Sequence, residues 1–180
     1  MHGSIFAELQ KFVTSNLGAE AWRTLIRESG VPTKIYLPIR EYPDEELVAL
    51  VATASRITGT PVPRLLWEYG VFIAPDLLKM YRSYIRPEWR TLDVIEHTEE
   101  QIHVRVRADH EGAAPPYLTA TRLAPDEIMV HYISQRKLCA VAEGVAHGMA
   151  KHFGERVETS QRTCMHRGDD SCEILVRRIG

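Results

Sequence analysis

Three side chains able to grip anions recur at every second position from residue 132 to residue 136: the Tyr132 phenol, the Ser134 hydroxyl and the Arg136 guanidinium. A guanidinium forks onto one carboxylate while hydroxyls take remaining lone pairs, so the trio suits a dianionic ligand with an apolar body. Taken alone, Tyr-x-Ser-x-Arg is equally ordinary chemistry for an exposed strand edge. Two other groups carry ligand-forming residue types. His103 stands nine residues before Gly112 in Gly112-Ala113-Ala114-Pro115-Pro116, and His97 lies six residues earlier. Cys139, Cys164 and Cys172 are the three cysteines of the chain, and three thiolates plus an imidazole complete a tetrahedral set that zinc prefers. His166 or His152 offers that imidazole; three reduced, metal-free thiols are the competing reading.

The elements that must position these groups follow from periodicity. Ile128, Val130 and Tyr132 alternate with Met129, His131 and Ile133, which predicts a strand from Glu127 to Ile133. From Leu138 the spacing of Leu138, Val141, Ala142, Val145 and Met149 is helical, predicting a helix from about Gln135 to Phe153. The trio therefore falls where a strand runs into a helix. Upstream, helices are predicted over Ser4–Leu17, Ala19–Glu28 and from Pro43 to Gly59, joined by an extended Val31–Arg40. Two shorter helices, Pro63–Tyr69 and Pro75–Tyr84, are expected on either side of Gly70-Val71-Phe72-Ile73-Ala74. Trp89–Arg107 is ambiguous: Leu92, Ile95, Glu99, Ile102 and Val106 fit a helix, whereas residues 102–107 alone fit a strand better. Tyr117–Leu123 forms a hairpin with the Glu127 strand, and Val157–Thr163 and Ser171–Arg178 read as two more strands. The order, helices first and then a mixed, mostly antiparallel sheet with one long helix packed on it, is that of an α+β domain.

Composition narrows the function classes. The 180 residues make one unit with a sizeable core, and 44% hydrophobic with 26% charged content is ordinary for a globular domain. A net charge of -2 argues for neither a nucleic acid nor an anionic membrane as partner. No apolar run approaches membrane-spanning length and no secretory signal is visible, which with an odd number of cysteines points to a reducing, cytoplasmic setting.

The Tyr132-x-Ser134-x-Arg136 trio, with His103 upstream of Gly112 and the Met1-His2-Gly3 opening, resembles the H-NOX family over essentially the whole chain. These are haem-based nitric oxide and oxygen sensors related to soluble guanylate cyclase. The resemblance implies a single haem-binding domain over 1–180, with a helical part over about 1–85, a mixed α/β part over about 86–180 and haem b between them. It makes Tyr132, Ser134 and Arg136 the clamp on the haem propionates and His103, on a helix, the axial ligand of the iron. It places Pro115 and Pro116 against the porphyrin, and Ile5, Leu9, Ile73, Leu77, Val141 and Val145 on the distal side. Oxygen-binding members carry a tyrosine where this chain has Val141, so nitric oxide and carbon monoxide are the expected ligands and stable oxygen binding is not. A bacterial-type stand-alone sensor of this kind has no enzymatic output and signals to a partner such as a histidine kinase or a cyclic-di-nucleotide enzyme. Some relatives hold a structural zinc with three cysteines so placed and a histidine three residues before the second; here that position is Gln161. A zinc or thiol redox sensor built on Cys139, Cys164 and Cys172 is the first alternative. A binder of small apolar carboxylates is the second.

Overall fold

The structure is a computed structural model that describes residues 1–109 and 113–180, so Gly112 of the expected glycine–proline turn lies outside the described residues. Two compact units follow one another, Met1–Tyr69 and Gly70–Gly180. The expected change near residue 85 was placed by element type; compactness divides the chain earlier, inside a helix.

The first unit is helical: α1 (Gly3–Leu17), α2 (Ala19–Ser29), α3 (Asp44–Thr58) and the start of α4 (Val62–Met80). Phe6, Leu9 and Val13 are buried on α1, Trp22, Leu25 and Ile26 on α2, and Leu47, Leu50 and Val51 on α3, with α2 packed on both α1 and α3. Phe6 stacks on Tyr36 with centroids 4.4 Å apart, and the Tyr36 hydroxyl donates to Glu46 at 2.8 Å, which ties the extended segment to α3. Gly3 has a packing reason. Its N–H donates to the Arg40 carbonyl at 2.7 Å, and a Cβ there would overlap the Leu37 carbonyl oxygen. Three acids, Asp44, Glu45 and Glu46, open α3 where its dipole favours negative charge.

The second unit sets four strands, β1 (Tyr117–Ala124), β2 (Glu127–Ile133), β3 (Val157–Gln161) and β4 (Cys172–Arg178), in the order β1-β2-β4-β3. Every strand pairing among the described residues is antiparallel, as the expected mostly antiparallel sheet anticipates. The short turn between β1 and β2 and the Thr163-to-Ser171 loop between β3 and β4 make those two pairs antiparallel, and the crossover through α7 sets β4 antiparallel to β2. Ile128, Val130 and Tyr132 of β2 and Cys172, Ile174 and Val176 of β4 form one buried face with Ala146 and Ala150 of α7 (Cys139–His152). A neighbouring cluster joins Ala74 and Leu78 of α4, Trp89, Val94 of α5 (Thr91–Thr98) and Met149 of α7.

Two expectations need correction. The break predicted at Gly70–Ala74 does not occur: α4 runs unbroken to Met80 with Pro75 inside it. Gly70 is a contact point, since a Cβ there would overlap the Val141 carbonyl and crowd the Val145 nitrogen of α7; Gly148 makes the reciprocal close approach to Val71 and Ala74. Glycine marks helix against helix here, a tertiary reason that outweighs its low helix propensity. The second correction concerns α7, which starts at Cys139 and not near Gln135. Ser134–Leu138 is a turn, with Lys137 in left-handed backbone (φ 51°) and its N–H on the Ser134 carbonyl at 3.0 Å.

The ambiguous Trp89–Arg107 stretch is helical: α5, then a π-helical turn over Glu99–His103, then α6 (Val104–Asp109). Acids at three-residue spacing tie it to β1. Asp93 and Glu96 accept from the Arg122 guanidinium at 2.8 and 2.6 Å, and Glu99 accepts from the Leu118 N–H at 3.1 Å. Strand-like alternation over 102–107 was misleading because the charged positions there are the helix's exposed and ion-paired side.

Candidate functional site

The turn after β2 gathers the anion-gripping trio, although not by strand alternation. Tyr132 is the only one of the three on the strand; Ser134 and Arg136 sit in the turn. Ser134 Oγ accepts the Arg136 N–H at 3.3 Å, a local side-chain turn that fixes the backbone between them. The Tyr132 hydroxyl oxygen accepts the Leu138 N–H at 3.1 Å, so the phenol also anchors the entry to α7. Burial pushes the Tyr132 phenol up to about 12, opposed by its hydrogen bonds to Ser134 and to the Leu138 amide. It is a neutral hydrogen-bond donor at any physiological pH. The Arg136 guanidinium donates to the Ala114 carbonyl at 2.6 Å.

His103 closes the π-helical turn. Its Nδ1 lies 3.2 Å from Glu99 Oε2, and the Pro116 carbonyl is a second acceptor at the ring. Burial lowers the His103 pKa, with Glu99 acting against it. A carboxylate only accepts, so Glu99 favours the tautomer with the proton on Nδ1, the form in which Nε2 carries the lone pair a metal needs. Ala113–Pro116 links the two halves: Ala114 meets Arg136, and Pro116 meets His103. Pro115 and Pro116 are half-buried there, in the approach to β1. His97 is otherwise engaged, stacked on Trp89 with centroids 4.5 Å apart.

Of the apolar residues expected on the distal side, Ile73 is buried and Leu77 half-buried on α4, and Val141 and Val145 are half-buried on α7. All four belong to the second unit. Ile5 and Leu9 lie on α1 of the first, half-buried and buried respectively.

Cys139, Cys164 and Cys172 do meet. Their sulfurs lie within 4.8 Å of one another, with Cys164 at 3.9 Å from each of the others, and all three residues are buried. Burial pushes the Cys139 thiol up to about 12 and raises Cys172 as well. Neither candidate imidazole belongs to this cluster among the described residues: exposed His166 points Nε2 at the Lys137 carbonyl at 2.7 Å, and exposed His152 packs its ring edge-on to Phe153. Gln161 reaches it instead, hydrogen-bonding Cys139 and Glu143.

Glu99 enters the sequence analysis only as a position in a helical pattern, not as a functional residue. Its signal was the four-residue spacing to His103, which puts both side chains on one helical face.

Comparison with known proteins places the chain in a family and shows its fold. The family model described as haem-NO-binding matches residues 2–161. An H-NOX protein from Shewanella oneidensis in the Fe(II)NO state is 24% identical with a TM-score of 0.92, covering 100% of both chains. A mutant H-NOX protein from S. oneidensis in the Fe(II) state is 25% identical with a TM-score of 0.91, over 100% of this chain and 97% of that one. The Fe(II) unliganded H-NOX protein from K. algicida is 19% identical with a TM-score of 0.86, again over 100% and 97%. No curated protein matches the chain.

Proposed function

The chain belongs to the haem-NO-binding family, and on that premise we propose that it is a haem-based gas sensor that binds nitric oxide and carbon monoxide. The observation that carries the reading is that His103 and Arg136, the charged member of the trio, both meet the single segment Ala113–Pro116, with Glu99 at His103 Nδ1. Bound ferrous haem would supply the iron that takes the gas and that an imidazole nitrogen can hold. The residues suit that group by donor type: one imidazole nitrogen, a guanidinium with two hydroxyls for two carboxylates, and half-buried proline beside the imidazole.

His103 would hold the iron, with the Glu99 carboxylate accepting from its other ring nitrogen. Tyr132 and Ser134 donate to carboxylates, and Arg136 adds the formal charge. Ile73, Leu77, Val141 and Val145 exclude water and offer no donor from their side chains. A bound oxygen molecule gains from a nearby donor, and leaving a polar oxygen unpaired costs about 1–3 kcal/mol. That is roughly one to two powers of ten in affinity. Nitric oxide needs no such donor. The chain has no catalytic output in this reading; the helix from α5 to α6 that carries His103 is the element whose shift a partner protein such as a histidine kinase or cyclic-di-nucleotide enzyme would read. No described helix is long and apolar enough to cross a membrane.

Absorption spectra test this directly. Purified protein given haem and reduced should form distinct nitric oxide and carbon monoxide complexes and none that persists in air. A stable oxygen complex would mean a donor reaches the distal side; no haem uptake would return the site to a binder of other dianions.

The thiol cluster favours a second, structural role. Three sulfurs supply three vertices of a zinc site, and the protein offers no imidazole for the fourth among the described residues. Bound zinc would therefore need the Gln161 carbonyl or water.

A further inference from the structure

We infer that Glu99 is a positioning residue that sets the strength of the His103 axial bond, in competition with Arg107 and the Leu118 amide for its carboxylate. This rests on the haem reading above.

The geometry is a shared carboxylate. Glu99 Oε2 takes the His103 Nδ1 proton at 3.2 Å and the Leu118 N–H at 3.1 Å, while Oε1 is held by the Arg107 guanidinium. Glu99, His103 and Arg107 repeat at four-residue spacing along one face of the helix. Glu99 and His103 are the first and last residues of the π-helical turn, a winding found often where function demands an exact side-chain position. Both are largely shielded, with side chains 23% and 15% exposed, so their interaction is weakly screened by solvent.

A carboxylate on the remote nitrogen fixes the ring and raises the basicity of the ligating one. Arg107 acts oppositely, because it draws charge from the same carboxylate. Its guanidinium also lies over the Tyr117 ring at 4.5 Å, and its Nη1 is buried with no hydrogen-bond partner among the described residues. Arg107 is thus committed to Glu99 and to the start of β1.

Glu99 also reaches the clamp. Leu118, which donates to it, is the β1 partner of Tyr132 in the sheet register. One carboxylate therefore joins the axial imidazole to the strand pair that carries the first clamp residue. If His103 leaves its position, Glu99 loses one of its three donors, and Leu118 and Arg107 take a larger share of it.

Resonance Raman spectra of the reduced, gas-free holoprotein test the assignment through the iron–histidine stretch. Glu99→Gln should lower that frequency and speed ferric haem loss to excess apomyoglobin on the order of ten- to a hundredfold, the usual effect of losing a ligand-orienting carboxylate. Arg107→Met should raise the frequency, because the carboxylate then loses its one charged competitor and shares itself between His103 and the Leu118 amide. Opposite shifts are what a merely structural role would not produce. Unmoved frequencies, or shifts of the same sign, overturn the inference. If Glu99→Gln does not fold, Arg107→Met decides: a rise supports the role, and no change or a fall removes it. Parent protein that shows no Soret band after haem addition sinks the sensor reading and this inference together, whereas a Soret band with unmoved frequencies sinks the role of Glu99 alone.

Discussion

Around His103 the neighbours are charged and partly wet, whereas Cys139, Cys164 and Cys172 meet among apolar residues and are dry. Glu99, Arg107 and the Leu118 amide compose the first environment; Ile128, Tyr132, Ala146, Ile174 and Val176 share a core with the second. Both gather ligand-forming atoms within reach of one another. The first holds its imidazole by a hydrogen bond to a carboxylate, which leaves the other nitrogen available. The second holds its sulfurs by packing, and burial keeps the Cys139 and Cys172 thiols protonated. Preorganisation for a ligand is visible in satisfied polar partners; proximity alone is also what a well-packed core produces.

His103→Gly is the change that should break the comparison most completely. Haem uptake should then depend on added free imidazole, as read by absorption, while His97→Gly behaves as the parent because its ring is stacked on Trp89. The reverse pair of results would move the axial ligand to the Trp89 stack.

Next in size is the clamp. Arg136→Ala should cost more haem retention than either hydroxyl, as it removes the one formal charge of the trio. Tyr132→Phe should cost about 1.5–3 kcal/mol, a hydrogen bond to a charged acceptor. It also strands the Leu138 N–H, so a small loss of apoprotein stability should accompany it. A triple replacement that keeps haem as firmly as the parent would end the clamp assignment.

The thiol corner can be pushed towards the other regime. Gln161 already touches Cys139, so Gln161→His places an imidazole at the missing vertex. Zinc affinity, measured by competition with a chromophoric chelator, should rise on the order of tenfold or more, or about 1.4 kcal/mol. No gain would mean that the sulfurs are set by packing too rigidly to close on an ion. In the parent, His166→Ala should leave zinc content unchanged, given that the ring faces the Lys137 carbonyl.

The smallest expected effect is kinetic. Protonated, buried thiols are poor nucleophiles. Metal-free native protein should therefore be alkylated by iodoacetamide much more slowly than the same protein in denaturant. Equal rates would show that the corner opens readily.

Much was legible in the residues themselves. The α1, α2 and α3 boundaries, the hairpin and the β3–β4 pair follow from local periodicity and stop signals, which act over a few residues and need no partner. Types and spacing likewise singled out the Tyr132–Ser134–Arg136 trio and the three cysteines as candidates, whereas His103 was singled out by the family resemblance. Tertiary structure alone decided the rest. Gly70 reads as a break in sequence but sits inside α4, because only packing against Val141 and Val145 gives its missing side chain a purpose. Ser134 and Arg136 left the strand for a turn, since the Ser134 hydroxyl and a left-handed Lys137 redirect the chain before α7 can start. Glu99 was one acid among several until folding brought the Leu118 amide and the Arg107 guanidinium onto the carboxylate that also holds His103. Periodicity reports which face of an element is buried; which neighbour shares a proton or a close approach depends on contacts between residues far apart in the chain.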